Sequence, residues 1–322
     1  MLESGLESPE QTGSQPVINN GYSYTDRISS ADQGRSVEDF YVSRYPHFSR
    51  QEWRERIRDG QISINGRPDA GEETLSAGDI LTYRRPPWEE PDVPNDFAVL
   101  YEDRSVLVLD KPSGLPVLPG GNFLEHTLLH LVRIRYGKEC SPLHRLGRGT
   151  SGAILFARNE KSARLLSKAM AERRIRKVYL ALASGIVTPD AFAIDAPIGP
   201  IPYGPLKTIH AFHPEGRPSE SRIRVLERRE AENATLLEVT IPTGRPHQIR
   251  IHLSHAGHPL VGDPLYTIGG LPRPISDASE NPALPGDLGY HLHSWKIRFV
   301  HPDTGREMEI VSPPPPILDP AR

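Results

Sequence analysis

From Phe97 onward the chain repeats a pattern that limits its fold more than any other feature. Strand-forming runs recur at Val99 to Tyr101, Ser105 to Leu109, Ala153 to Ala157, Val178 to Ala183, Ser221 to Leu226, Thr235 to Ile241, Lys296 to Val300 and Met308 to Val311. Only three helical stretches interrupt them, at about Thr127 to Tyr136, Glu160 to Ile175 and His247 to Ala256. Consecutive runs such as Arg222 to Leu226 and Leu236 to Ile241 are joined by short polar connections. These suit antiparallel pairing, because a parallel crossover needs a dozen or more residues. The expected fold is α+β, with a mixed, largely antiparallel central sheet flanked by a few helices.

The first third is organised differently. Residues 1–35 are rich in Ser, Gly, Gln, Asn and Pro without hydrophobic periodicity, which predicts a disordered tail. Residues 36–85 carry helical patterning at Val37 to Val42 and Gln51 to Ile57. Gly60 to Gly66 then alternates like a strand and turns at Asn65-Gly66, and Leu75 to Leu81 leads from a turn into a further strand. This predicts a small α+β domain. Residues 86–96 form a stiff acidic linker punctuated by Pro86, Pro87, Pro91 and Pro94, since proline fixes φ and removes a backbone donor. The main domain is expected over 97–312, followed by a proline-rich tail over 313–322.

With 322 residues the chain can bury a substantial core, and its apolar runs are strand-sized, far short of the roughly 20 residues of a membrane-spanning helix. Glu3, Glu7 and Glu10 with no apolar stretch are unlike a secretory signal or a transit peptide. Cys140 is the only cysteine, which excludes an intrachain disulfide and suits the reducing cytoplasm. The formal net charge is −3, yet Arg133 to Lys177 holds thirteen Lys and Arg against three Glu. A block of that sign can bind a polyanion by releasing its counterions. A solvated helix face is the other reading of the same charges.

Several motifs stand in a fixed order through the main domain. They are Asp110-Lys111-Pro112-Ser113-Gly114-Leu115, His144-Arg145-Leu146-Gly147-Arg148-Gly149-Thr150-Ser151-Gly152 and Arg176-Lys177-Val178-Tyr179. Thr243-Gly244-Arg245-Pro246-His247-Gln248-Ile249-Arg250-Ile251-His252 follows, then Gly257-His258-Pro259-Leu260-Val261-Gly262-Asp263 with Tyr266, and finally Leu292-His293-Ser294-Trp295. This series resembles the RluA family of RNA pseudouridine synthases over nearly all of residues 97–312. Residues 36–85 resemble an S4 RNA-binding domain, in which Arg50, Arg54 and Arg58 would face RNA.

The resemblance implies the pseudouridine synthase fold, an RNA substrate and no cofactor, acting as a monomer in the cytoplasm on structured ribosomal or transfer RNA. Tyr179 and Arg250 would be the catalytic Tyr and Arg, and Arg145, Arg148, Thr150, Lys177, His247 and Gln248 would contact substrate. In the family the loop motif reads H-R-L-D, and its Asp, partnered by the Arg, acts at the sugar. Here Gly147 occupies that position. Asp110 and Asp263 are the nearest substitutes by motif, with strand-end and turn-capping roles as their structural alternatives. Loss of the carboxylate also admits a second function, a catalytically silent RNA-binding protein or RNA chaperone on the same fold. His247, His252, His255 and His258 fit no strong zinc spacing and have no cysteine beside them, so no metal site is expected. No G-K-[ST] phosphate loop exists to give Lys111 a nucleotide.

Overall fold

The computed structural model describes residues 18–45, 48–68, 73–275 and 282–320. Two units separate between Pro91 and Asp92, inside the expected linker. In the first, α1 (Val37–Arg44) and α2 (Arg50–Arg58) accompany a four-stranded sheet of β1 (Tyr22–Arg27), β2 (Ile62–Ile64), β3 (Arg67–Pro68) and β4 (Ile80–Arg85), in the order β1-β4-β2-β3. Helix α2 starts where Ser49 and Glu52 form a reciprocal capping box. Trp53 stacks on Tyr41 at 4.6 Å, and Tyr83 meets Trp53 edge-on at 5.2 Å. The β2–β3 turn sits at Asn65-Gly66 as expected, with φ of 49° and 82°.

Strand β1 corrects the expectation of a tail reaching residue 35. Its polar sequence Tyr-Ser-Tyr-Thr-Asp-Arg pairs antiparallel with β4 from Tyr22↔Arg85 to Arg27↔Ile80. An edge strand with one wet face needs no hydrophobic alternation, so composition alone did not mark it. Residues 1–17 of the expected tail lie outside the described residues. The start of the expected linker belongs to this unit as well: Asn19 donates from its backbone to the Trp88 carbonyl and from its side chain to Glu90.

The second unit is built on β5 (Ala98–Glu102), β6 (Val106–Lys111), β8 (Ser151–Ala157), β9 (Arg176–Ser184), β10 (Ala191–Asp195), β13 (Glu220–Arg229), β14 (Ala234–Thr240) and β17 (Leu292–Val300). Their order is β10-β13-β14-β9-β17-β8-β6-β5, with β7 (Ser141–Pro142) paired to β8 and β18 (Glu307–Val311) paired to β17. Every pairing in this sheet is antiparallel except β17 with β8, so the expected mixed, largely antiparallel sheet is present. Strand β6 is buried on both faces. Leu107 and Leu109 join the core that includes Leu128 and Val132 of α3 (Leu128–Tyr136), while Val106 and Val108 pack with Leu166 and Ala169 of α4 (Glu160–Ala171). Each such side chain contributes roughly 1.5–3 kcal/mol when fully buried.

Thr127 and Asn159 cap α3 and α4 through their side-chain oxygens. Helix α5 (Gln248–His255) is different, because Gln248 through Ser254 are all buried. The short hairpins β11 (Ile198–Pro202) with β12 (Thr208–Phe212), and β15 (Tyr266–Thr267) with β16 (Leu271–Pro272), stand apart from the main sheet. The proline-rich C-terminal segment is not loose along its whole length. Leu318 is buried with Leu180, Leu182 and Leu236, and Arg229 donates to the Ile317 carbonyl at 2.8 Å.

Candidate active site

Two loops are stitched together first. Lys111, at the end of β6, is fully buried, and its ammonium donates to the carbonyls of Pro112 and Leu115 at 2.7 Å and Arg148 at 3.2 Å. Burial, aided by the Arg148 charge, lowers its pKa to about 7. Gly114 donates to the Arg148 carbonyl, Arg148 returns a bond to the Gly114 carbonyl at 2.9 Å, and Ser113 donates to Gly149. The Lys-Pro-Ser-Gly turn therefore sets the position of the 145–150 loop. Arg148, expected as a substrate contact, is held by Gly114 and lies 4.9 Å from the Phe123 ring centroid.

Strand β8 then passes so close to β17 that Gly152, at φ +105°, leaves no room for a side chain. A Cβ there would meet the Ser294 carbonyl oxygen at 2.4 Å. This crossing puts Ser294 beside Tyr179, its register partner on β9. Tyr179 is buried, and burial, partly offset by a hydrogen bond with Ser294, raises its pKa above the ordinary tyrosine range. It stays a neutral phenol at any physiological pH.

Arg250 comes from α5. It makes a bidentate pair with Asp263, Nε to Oδ2 and Nη2 to Oδ1 both at 2.7 Å, and donates to the Pro285 carbonyl at 3.0 Å. Its guanidinium carbon lies 4.2 Å from the Tyr290 ring centroid and 5.0 Å from that of Tyr266. Burial is the largest single influence and opposes the charge, but the Asp263 hydrogen bonds together with electrostatic attraction to Tyr290, Asp263 and Tyr266 outweigh it, and the pKa is raised. Asp263 also accepts from the backbone of Leu265 at 2.9 Å and Tyr266 at 3.1 Å. It is thus both a turn-capping carboxylate and the partner of Arg250, the place the family pattern gives to the loop Asp.

One cavity of about 80 Å³ collects most of these groups. Leu146, Gly147, Thr150, Tyr179, Ile241, Arg245, His247, Gln248, Ile249, Arg250, Tyr290 and Leu292 line it. No Asp or Glu is among them. Asp110 is elsewhere, accepting from Ser312 at 2.9 Å. Tyr290 was not singled out in the sequence. Its hydroxyl is 3.3 Å from Thr150 Oγ1 and 2.9 Å from where a Cβ on Gly147 would lie. The only sequence sign was an aromatic residue shortly before the Leu292-His293-Ser294 motif, and nothing local ties such a residue to a glycine 143 positions earlier.

The remaining expected residues divide. Lys177 is buried on β9 two residues from Tyr179, with Nζ 3.4 Å from an idealised Cβ on Gly244, and burial lowers its pKa. His247 opens α5 in a left-handed conformation and shares a 2.7 Å hydrogen bond with Tyr266, whose hydroxyl donates to the His210 carbonyl. Burial and then the Arg250 charge lower the pKa of His247 to about 3, so it is neutral. Arg145 is exposed. Gln248 does not fit a substrate-contact role. Its oxygen accepts from Thr243 and the Arg245 backbone, and its nitrogen donates to the Glu220 carbonyl and Ser221, so the whole amide serves to hold the turn before α5.

Arg50 and Arg54, expected to face RNA, instead pair with acids of their own unit. Arg50 bonds Glu38 and reaches Asp39 at 2.8 Å, and Arg54 bonds Glu38 at 2.7 Å. Arg58 is exposed at the end of α2. The basic block is also partly neutralised, by Arg158 with Glu102, Lys161 with Asp303 and Arg174 with Glu172.

The histidines of α5 and its exit are engaged separately. His252 bonds Ser221 and the Ala196 carbonyl, His258 bonds the Ser184 carbonyl, and His255 stacks on Phe212. Among the described residues no group of three or more His, Cys, Asp or Glu side chains could hold a metal ion.

Comparison with known proteins shows which family the chain is similar to. Residues 105–255 match the family described as RNA pseudouridylate synthase. The chain is 45% identical over 281 residues to an uncharacterized RNA pseudouridine synthase of Synechocystis, covering 87% of this chain and 94% of that one. It is 40% identical to RNA pseudouridine synthase 5 of Arabidopsis thaliana, covering 94% and 95%, and 32% identical to ribosomal large subunit pseudouridine synthase D of Escherichia coli K12, covering 90% of each. Among solved structures, human RNA pseudouridylate synthase domain containing 1 aligns with a TM-score of 0.53 at 25% identity, over 71% of this chain and 89% of that one.

Proposed function

Because this chain belongs to the RNA pseudouridylate synthase family, we propose that it isomerises a uridine of a structured ribosomal or transfer RNA in the cytoplasm, as a monomer and with an active site that lacks the family's loop carboxylate. The observation that carries this reading is the single cavity shared by Thr150, Tyr179, Arg250 and the 145–150 loop. The reaction breaks the C1′–N1 bond, turns the base and joins C5 to C1′, so the site must exclude water and hold a neutral, rotating base. A buried, un-ionised Tyr179 offers such a base a flat surface that neither attracts nor repels charge. The reaction is an isomerisation without net oxidation or reduction, and it needs no cofactor.

Arg145, exposed on the loop, is suited to fill the gap left in the RNA when the target nucleotide turns out of its stack, a step costing a few kcal/mol. Residues 36–85 serve in this reading as an S4-like RNA-binding domain. The ion pairs at Arg50 and Arg54 leave Arg58 as the residue of the three better placed to meet a phosphate. Ribosomal RNA is favoured by the likeness to ribosomal large subunit pseudouridine synthase D. The test is tritium release from C5-labelled ribosomal and transfer RNA transcripts supplied separately. Release from either supports the substrate class, and release only from other RNA overturns it.

A further inference from the structure

Among the described residues no carboxylate lines the cavity, yet the space beside the loop position is occupied. Neither Gly147 nor Gly149 has a positive φ, so the backbone does not demand glycine at either place. What demands it is Tyr290. A Cβ on Gly147 would lie 2.9 Å from the Tyr290 hydroxyl oxygen, with no other atom of that ring within 4 Å, and a Cβ on Gly149 would lie 2.9 Å from two ring carbons. An aspartate carries its own oxygens about 2.4 Å from Cβ by ordinary bond lengths. The phenol oxygen therefore lies beside the loop position, only about half an ångström farther from that Cβ than an aspartate's own oxygens would be. It reaches that point from a residue 143 positions later in the chain.

The side chain is also fixed there. Gly289, directly before it, crosses Gly262 so closely that a Cβ on Gly262 would meet the Gly289 carbonyl oxygen at 2.3 Å. The ring lies against the Arg250 guanidinium, itself locked by Asp263, and the hydroxyl points to Thr150. Of the side chains lining the cavity, only Tyr179 and Tyr290 offer an acidic hydroxyl, and Tyr290 is the one on the side of the 145–150 loop.

We propose that Tyr290 is a catalytic residue that replaces the loop carboxylate, acting as proton donor and then acceptor at the reacting uridine. This rests on the isomerase reading above. As the C1′–N1 bond breaks, its electron pair goes to N1 and the phenol proton passes to N1, leaving a phenolate between Arg250 and the electron-poor C1′. After the base turns, the C5–C6 π pair forms the C5–C1′ bond, and the proton on C5 returns to the phenolate oxygen. N1 keeps its proton, as pseudouridine requires, and the enzyme ends as it began.

The experiment is C5-tritium release by four full-length proteins, native, Tyr290→Phe, Gly147→Asp and the double variant carrying both substitutions, with RNA binding measured beside it. Removing the hydroxyl is expected to lower release about 100-fold or more, the usual range for a lost acid–base group, while RNA binding stays within about threefold. Gly147→Asp alone is expected to be inactive, because its Cβ meets the phenol oxygen. The double variant, in which that oxygen is gone, is expected to regain release, which also shows that the chain folds without the Tyr290 hydroxyl. Native-like release from Tyr290→Phe, or equal release from Gly147→Asp and the double variant, overturns the role of Tyr290 and leaves the isomerase reading standing. A native chain that releases nothing overturns both.

Discussion

Asp263 is the residue on which the site's electrostatics turn. It neutralises a buried guanidinium and caps the Leu265-Tyr266 backbone at once, so its two oxygens accept four hydrogen bonds. Removing the charge from one side of a buried pair leaves the other uncompensated, which typically costs about 3–5 kcal/mol. Asp263→Asn is expected to lower unfolding stability by roughly that amount and to free Arg250 from its stacked position, measured by urea unfolding. A change below about 1 kcal/mol would mean the pair is open to solvent. At this scale the motifs picked out Tyr179, Arg250 and the 145–150 loop, which the structure gathers around one cavity. They did not reveal Tyr290, whose relation to Gly147 exists only through the fold, nor the internal use of Gln248 and Arg148, whose side chains could equally have faced a ligand.

Among the elements, the β8–β17 contact does most to assemble the site. It is the one parallel pairing of the large sheet, made only at His293↔Ser151 and Ser294↔Gly152, and it depends on a glycine with positive φ. Gly152→Ala puts a methyl group into the Ser294 backbone as well as forcing an unfavourable φ, costs that together exceed the roughly 1–3 kcal/mol of a single strained position. The variant is expected to be insoluble, or to lose several degrees in melting temperature together with RNA-modifying activity. Native-like melting by circular dichroism would contradict the close crossing. Strands of the large sheet were largely legible, because β6, β8, β9 and β14 are long apolar runs buried in the core. Strand β11, Ile-Gly-Pro-Ile-Pro, was not, since glycine and proline weaken any strand signal and it pairs with β12 outside the large sheet. Helix α5 was legible by its motif rather than by amphipathicity, because burial on all sides erases the polar face.

At the scale of the whole molecule, neutral buried histidines tie stability to pH. His252 is fully buried, and burial holds its pKa down to about 4 despite the Ala196 carbonyl. The unfolded chain takes up a proton near pH 6.5 that the folded chain refuses, so stability is complete above that value and falls as pH drops toward 4, by about 3 kcal/mol from this residue. His144, lowered to about 3 mainly by burial, acts in the same direction. Urea midpoints are therefore expected to fall between pH 7 and pH 5. A flat profile would show that these imidazoles are hydrated.

Catalysis by a site whose loop carboxylate is replaced is tested most directly by tritium release from C5-labelled RNA, with the native protein set against a protein-free control. Release well above the control is the predicted result. No release from any RNA fraction, with tight RNA binding retained, would contradict it and leave a silent RNA-binding protein on a synthase fold.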